Sequence, residues 1–426
     1  MVGRLGARSE VDQGWRKDSR DLCRRPVQVV LLARADPDGR EHLHDLRSLR
    51  GLHPQGPDSQ APRPASRVTA PALAASPATA DAVDWALAAH VARRVAGRDA
   101  LAGSYLAASL DDDFAEVTAQ AEQLVAEHTG LRTVGTARAA VVNRQGWVDA
   151  NVSSMRHLVG PLTERMGARM LKSPVGGVGR RVAATELGML LGWFAQRVLG
   201  QYDLLVPDDD GNLDDDTVYY VGANVLALEK RFAFRPRDFR LWIAIHEVTH
   251  RAQFTAVPWM RDYFLGLVKQ ALSTVDADPR RVVRAILRAV DELRNGKNPL
   301  DEGGIVGLLA TDEHRGVLSQ VQALMSVLEG HGNRVMNELG RVHVDGQARM
   351  ANVLHARRRT QGASGLVHKL LGLETKMRQY EVGETFIEAI EREAGSHALD
   401  PVWRGPENLP TLDELASPST WLARVA

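Results

Sequence analysis

Between Asp238 and Phe254 the chain reads DFRLWIAIHEVTHRAQF, and three side chains in this stretch have the types and spacing for one kind of chemistry. His246 and His250 stand at i and i+4, one turn apart on the same face of a helix. Two imidazole nitrogens so placed can both reach a single zinc ion at about 2.0–2.1 Å. Glu247 lies next to the first histidine, angled off the metal but close to a water bound on it, where a carboxylate can act as general base. Leu241, Ile245 and Val248 add an apolar stripe, so the stretch reads as a buried helix with Asp238 capping its first turn. His-Glu-x-x-His fixes three residues in five, and here it falls on an apolar helix as the mechanism requires. That favours a zinc site over two core histidines satisfied by hydrogen bonds.

A catalytic zinc needs a third protein ligand and one open position. Downstream candidates are Glu313, His314, Glu329, His331 and His343. Glu329 is preferred, because it interrupts the apolar run Ala323 to Leu328 and an acid there must be paired or bound to metal. Gly330 and Gly332 beside it weaken a helix, a cost that close packing or a nearby ligand explains. Asn333, four residues on, shares Glu329's face and is a candidate to orient a ligand. An ion pair between Glu329 and Arg251 is the competing reading, and His331 is the alternative ligand or a donor to the reacting group. Tyr380, in the polar group Lys376, Arg378 and Tyr380, is the first candidate to stabilise an oxyanion. Tyr219 and Tyr220 precede the histidine helix in a short strand that reads as an edge to which an extended substrate can pair, or simply as alternating core and surface aromatics. Arg251, Gln253, Trp259 and Arg261 are open between cleft lining and structural hydrogen bonding.

The elements that must position these groups are mostly helical. Residues 1–80 carry scattered charge and a Pro/Ser/Ala stretch from Pro54 to Ala80, and read as a poorly ordered extension or linker before a domain at 81–426. Helical spacing follows in Trp85 to Val95, Phe114 to Glu127, Trp147 to Leu162 and Val182 to Leu199, where Gly188 and Gly192 would let a neighbouring backbone come close. An acidic turn, Asp208 to Asp216, leads into one short strand at Val218 to Val221. Helical periodicity then runs from Asp238 to Glu393, with breaks expected around Asn295 to Gly304, at Gly340 and at Gly362. Trp403 and Trp421, in a proline-rich tail, should tuck back onto the body. The expected class is mainly α with at most a small β element.

Composition narrows the function further. The 426 residues are 44% hydrophobic and 25% charged, and Lys+Arg 53 balance Asp+Glu 53, so no global charge steers the chain to nucleic acid or to an anionic membrane. An aromatic content of 5% argues against a stacking surface for single strands. The lone Cys23 excludes an intrachain disulfide framework and fits the cytoplasm. The most apolar stretch, Val182 to Leu199, is interrupted by Glu186, Gln196 and Arg197 and reads as a buried helix rather than a membrane span. A di-iron bundle would need a second Glu-x-x-His pair on another helix, and the domain at 81–426 offers none. The partner implied is a peptide or small amide, with a non-catalytic zinc scaffold as the rival reading.

Several motifs in order resemble one family. The run Asp238 to Trp259, Gly146-Trp147-Val148 with Asn151, Val198 to Asp203 (VLGQYD), Leu324 to Asn333, Lys376 to Tyr380 (KMRQY) and Pro406 to Pro410 (PENLP) are similar to the actinobacterial zinc-dependent metallohydrolases with a zincin-like site. Members of that family often carry a label linking them to biosynthesis of a deazaflavin coenzyme. The resemblance spans about Asp81 to the C-terminus. It implies a mostly helical zincin-like fold and a site of His246, Glu247, His250 and a downstream acid that falls on Glu329. At Asn333 the chain departs from the acidic residue expected in relatives.

Overall fold

The structure is a computed structural model that describes residues 81–99, 101, 103–170, 176–202, 216–273, 312–361 and 373–426. The chain divides into two units, Met1–Ser66 and Arg67–Ala426, and every described residue lies in the second. The extension expected over residues 1–80, the acidic turn before Asp216, and the breaks expected near Asn295 and at Gly362 lie outside the described residues.

In chain order the described elements are α1 (Trp85–Ala96), α2 (Tyr105–Ala108), α3 (Leu110–Thr129), β1 (Arg138–Val142), α4 (Arg144–Met170), α5 (Gly176–Ala195), β2 (Gly200–Tyr202), β3 (Thr217–Val221), α6 (Gly222–Phe232), α7 (Pro236–Thr255) and α8 (Met260–Ser273). They continue with α9 (Asp312–His343), α10 (Gln347–Gln361), α11 (Leu373–Ala394), α12 (Asp400–Arg404), α13 (Leu412–Ala416) and α14 (Pro418–Val425). The protein is mainly helical, with a single small sheet among the described residues.

α7 is the central element. Pro236 opens it, where a missing N–H costs nothing, and Asp238 lies within the first turn rather than capping it. Asp238 pairs instead with Arg235 at 3.2 Å. The helix is buried on nearly every face, from Phe239 through Ile245 to Gln253, so its polar side chains must all find partners. Arg240 clasps Glu229 through two bonds, at 2.8 and 3.0 Å, and also meets Asp113. Arg251, fully buried, reaches Glu122 at 2.7 Å, Thr133 at 3.0 Å and Asp216.

α3 and α9 both pack against α7. α9 runs unbroken through Gly340, so the interruption expected there is absent. A Cβ at Gly340 would stand 2.9 Å from the Trp242 ring and 2.8 Å from Gln347 Cγ, so that glycine serves packing rather than helix termination. The same logic governs two helix crossings. A Cβ on Gly383 of α11 would lie 1.9 Å from the Ser326 carbonyl oxygen of α9. Cβ atoms on Gly188 and Gly192 of α5 would each lie 2.6 Å from a carbonyl oxygen of α1, and this is the close approach that their spacing predicts.

The sheet has the order β1-β3-β2, with β1 parallel and β2 antiparallel to β3. The strand foreseen at Val218 to Val221 is therefore the central one and not an edge. Tyr220 is buried, stacked on Phe114 at 4.0 Å, with its hydroxyl 2.8 Å from that of Thr118. The edge beside α7 is β2, three residues that periodicity has no means to detect. Trp403 and Trp421 do return to the body. Trp421 is fully buried against Phe386, and the Trp403 carbonyl accepts from the Trp259 indole at 3.0 Å.

Candidate metal centre

Three side chains converge where α7 meets α9. His246 Nε2 and His250 Nε2 lie 3.2 Å apart, and Glu329 Oε2 lies 3.7 Å from the first and 3.5 Å from the second. Among the described residues these three form the group of His, Cys, Asp or Glu side chains able to hold one ion, with donor atoms all within 4.8 Å of one another. The donor set fits zinc. Two imidazoles and a carboxylate at about 2.0–2.2 Å from a tetrahedral ion are separated along the tetrahedron's edges by roughly 3.3–3.6 Å, and the three observed separations straddle that interval. Gly332 is the reason the rings fit against α9. A Cβ there would press on His250 Cε1 at 3.1 Å and His246 Cε1 at 3.2 Å.

Glu247 stands outside this triangle, only 8% exposed. Its Oε2 accepts the Tyr202 backbone N–H at 3.2 Å from the edge of β2. Gly200 leaves it room, since a Cβ there would come within 2.6 Å of Glu247 Cγ. Burial pushes the Glu247 carboxyl up to about 7, with the Glu329 charge adding to the rise and His250 and the Tyr202 N–H opposing it. His250 also moves up, but against its burial. Burial alone would lower it, but the charge and hydrogen bond of Glu329, the charge of Glu247 and the Gln253 bond carry it up to about 9.

The β2 edge is held from behind. Gln201 Oε1 accepts from the Trp147 indole at 2.6 Å and from Asn151 Nδ2 at 3.3 Å, and Gln201 Nε2 donates to Asn151 Oδ1 at 3.2 Å. Two stretches singled out in the sequence, Gly146-Trp147-Val148 with Asn151 and Gly200-Gln201-Tyr202, thus meet in one network that fixes the strand touching Glu247.

Other candidates fall elsewhere. His331 is not part of the triangle. Its Nδ1 is 2.9 Å from Gln253 Nε2 and its ring packs edge-on against Trp403 at 4.9 Å, where burial, with the charges of His250 and His128, pushes it down to about 3. The guanidinium of Arg251 is engaged by Glu122 and Asp216, so the ion pair weighed between Arg251 and Glu329 is replaced by one on the α3 side of α7. Asn333 is buried, and its Oδ1 has no hydrogen-bond partner among the described residues. Tyr380 belongs to α11, but its side chain lies outside the described residues. Of the four residues weighed after His250, Gln253 meets the centre through the His250 ring. Its i+3 spacing from His250 is the signal that sequence reasoning left unused.

Comparison with known proteins places the chain in a family. The model of the zincin-like metallopeptidase family matches residues 83–422. The chain belongs to that family. Among solved structures it is similar to a crystal structure from Chloroflexus aurantiacus, of a protein proposed to be a hydrolase with a novel fold. The two share 31% identity at a TM-score of 0.61, over 80% of this chain and 98% of the other. No curated protein sequence matches. A metal, typically zinc, and hydrolytic chemistry are what membership of this zincin-like family implies. No helix among the described residues is long and apolar enough to cross a membrane.

Proposed function

We propose that the chain is a zinc-dependent hydrolase of peptide or small amide bonds, in which His246, His250 and Glu329 hold the metal and Glu247 is the general base. The observation that carries this reading is the triangle of two imidazole nitrogens and a carboxylate oxygen with a second, buried carboxylate beside it that takes no part in the triangle. A site built only for stability has no use for that second acid.

Zinc in such a site supplies Lewis-acid activation of water and of a carbonyl. The chain's own contribution is proton handling. Glu247, held up near 7 by burial, is matched to taking a proton from the attacking water and giving it to the departing amine near neutral pH. The Tyr202 N–H fixes which carboxylate oxygen is engaged and leaves Oε1 for the reacting proton. The edge of β2 lies alongside, so an extended peptide has backbone groups to meet next to the base. The cytoplasm is the proposed compartment, on the single cysteine of the chain. The label of deazaflavin coenzyme biosynthesis names a gene context, so no substrate is drawn from it.

The test pairs two variants. Glu247→Gln keeps shape, so zinc content and melting should stay at wild-type levels while turnover of a peptide and amide library falls about 10²–10⁴-fold. His250→Ala should lose most of its zinc by elemental analysis. Cleavage that persists in Glu247→Gln and in chelator overturns the mechanism, and full zinc retention in His250→Ala overturns the site. Zinc-loaded wild type inert towards the whole library would favour the rival scaffold reading.

A further inference from the structure

Gln253 is fully buried on α7, three residues after His250, and its amide reaches three groups. Nε2 lies 2.9 Å from the Leu328 backbone oxygen and 2.9 Å from His331 Nδ1, and Oε1 lies 2.9 Å from His250 Nδ1. One of these contacts decides the others. A backbone carbonyl only accepts, so the amide end facing Leu328 must be the NH2 group. The end facing His250 is then the carbonyl oxygen, and His250 must present N–H at Nδ1. In the deprotonated ring that a metal requires, the proton that remains is then the one on Nδ1, and the Nε2 lone pair of His250 is directed into the triangle with His246 and Glu329. On the other side the NH2 group donates to His331 Nδ1, which must be bare, so the neutral His331 ring carries its proton on Nε2.

We propose that Gln253 is a positioning residue that sets the tautomers of His250 and His331 in opposite senses and locks the helix bearing the two histidines to the helix bearing Glu329. The inference rests on the metal site proposed above and extends it to the groups that aim the ligands. Leu328 immediately precedes Glu329, so the bond from Gln253 fixes the rotation of α9 at the residue next to the acid. Ring orientation and ligand basicity are the usual gains from such a partner, and its loss commonly weakens metal affinity about 10–100-fold. His331 is thereby a structural partner of Gln253, seated on Trp403, rather than a fourth donor to the triangle.

Gln253→Leu and Gln253→Glu separate the parts of the amide. Leucine removes both functions; glutamate keeps an acceptor for His250 Nδ1–H but places an oxygen against His331. Full-length variants would be titrated with zinc against a chromophoric chelator, and His331 read from its imidazole nitrogen shifts in metal-free protein. Gln253→Leu should bind zinc about 10–100-fold more weakly with its thermal melt still cooperative. Gln253→Glu should recover affinity to within a few-fold of wild type, while His331 moves its proton from Nε2 to Nδ1. Should the leucine variant not fold, the glutamate variant carries the test through its zinc affinity and the His331 shift. Zinc affinity unchanged in folded Gln253→Leu overturns the proposal, as does Gln253→Glu binding as weakly as leucine. Wild type that binds no zinc would remove the metal reading instead, and His331 protonated on Nδ1 in that same wild type would remove the hydrogen-bond assignment as well.

Discussion

Replacing Gly200 by alanine should disable the proposed general base without touching the proposed metal ligands. The added Cβ would stand 2.6 Å from Glu247 Cγ, 2.8 Å from Oε1 and 2.9 Å from Cδ, where ordinary contact begins near 3.4 Å. One partner must therefore give by about 1 Å. If Glu247 gives, its carboxylate leaves the position beside the triangle. If β2 gives, the 3.2 Å bond from the Tyr202 N–H is lost. A displacement of that size at a reacting group costs about 10²-fold in rate, so turnover should fall by roughly that factor. Zinc content should hold, because the three atoms nearest the new methyl group all belong to Glu247, which is not one of the three proposed ligands. Gly200 has no left-handed backbone to protect, so alanine is admissible there and folding should survive. The assay is turnover on the same peptide and amide library, with hydrogen exchange at the Tyr202 amide as a readout that needs no substrate. Wild-type turnover together with unchanged Tyr202 exchange in Gly200→Ala would refute the claim that this contact seats the base.

Zinc affinity should depend on pH through His250. Its metal-free imidazole is held protonated up to about pH 9, and a metal binds only the deprotonated ring, so apparent affinity should climb by up to about tenfold per unit as pH rises towards 9 and level off above it. Calorimetry at pH 7 in buffers of different ionisation enthalpy should report release of about one proton per zinc from this residue; affinity flat from pH 7 to 9 would contradict the His250–Glu329 pairing. Gly383→Ala should lower stability by about 1–3 kcal/mol or more, because its Cβ would sit 1.9 Å from the Ser326 carbonyl oxygen and force α9 and α11 apart. Gly266→Ala, where a Cβ meets nothing within 4 Å, is the control and should be neutral or slightly stabilising in denaturant melts.

What could be read from the sequence follows from range. His246, Glu247 and His250 lie within one helical turn, so their geometry is fixed by helix periodicity alone, and the mainly helical class follows from the same period. Glu329 was reachable by a weaker argument, the cost of an acid in an apolar run. β1 and β2 were not legible. They are short, and β1 pairs with a strand some eighty residues further on, as the Arg138 to Thr217 register shows. Only tertiary contact creates them. The central place of β3 was hidden for the same reason, as were the partners of Arg251, which lie on α3 and beside the sheet. Gly340 misled because glycine in a helical pattern usually marks an end, whereas here it clears space for Trp242. Gly200 and Gln201 stood inside a family-like motif, but their roles needed the side chains of Glu247, Trp147 and Asn151 in view.

Behind the two halves of the centre stand different parts of the molecule. The triangle is carried by α7 and α9 and braced by Gln253, while Glu247 is steadied by three residues of β2 that hang from α4 through Gln201, Trp147 and Asn151. Substitutions along α4 can thus accumulate with consequences for the base and the adjoining strand alone, leaving ion retention intact. Selection on such a scaffold can alter the proposed cleavage, or retire it altogether, one supporting helix at a time and without disturbing the three side chains of the triangle.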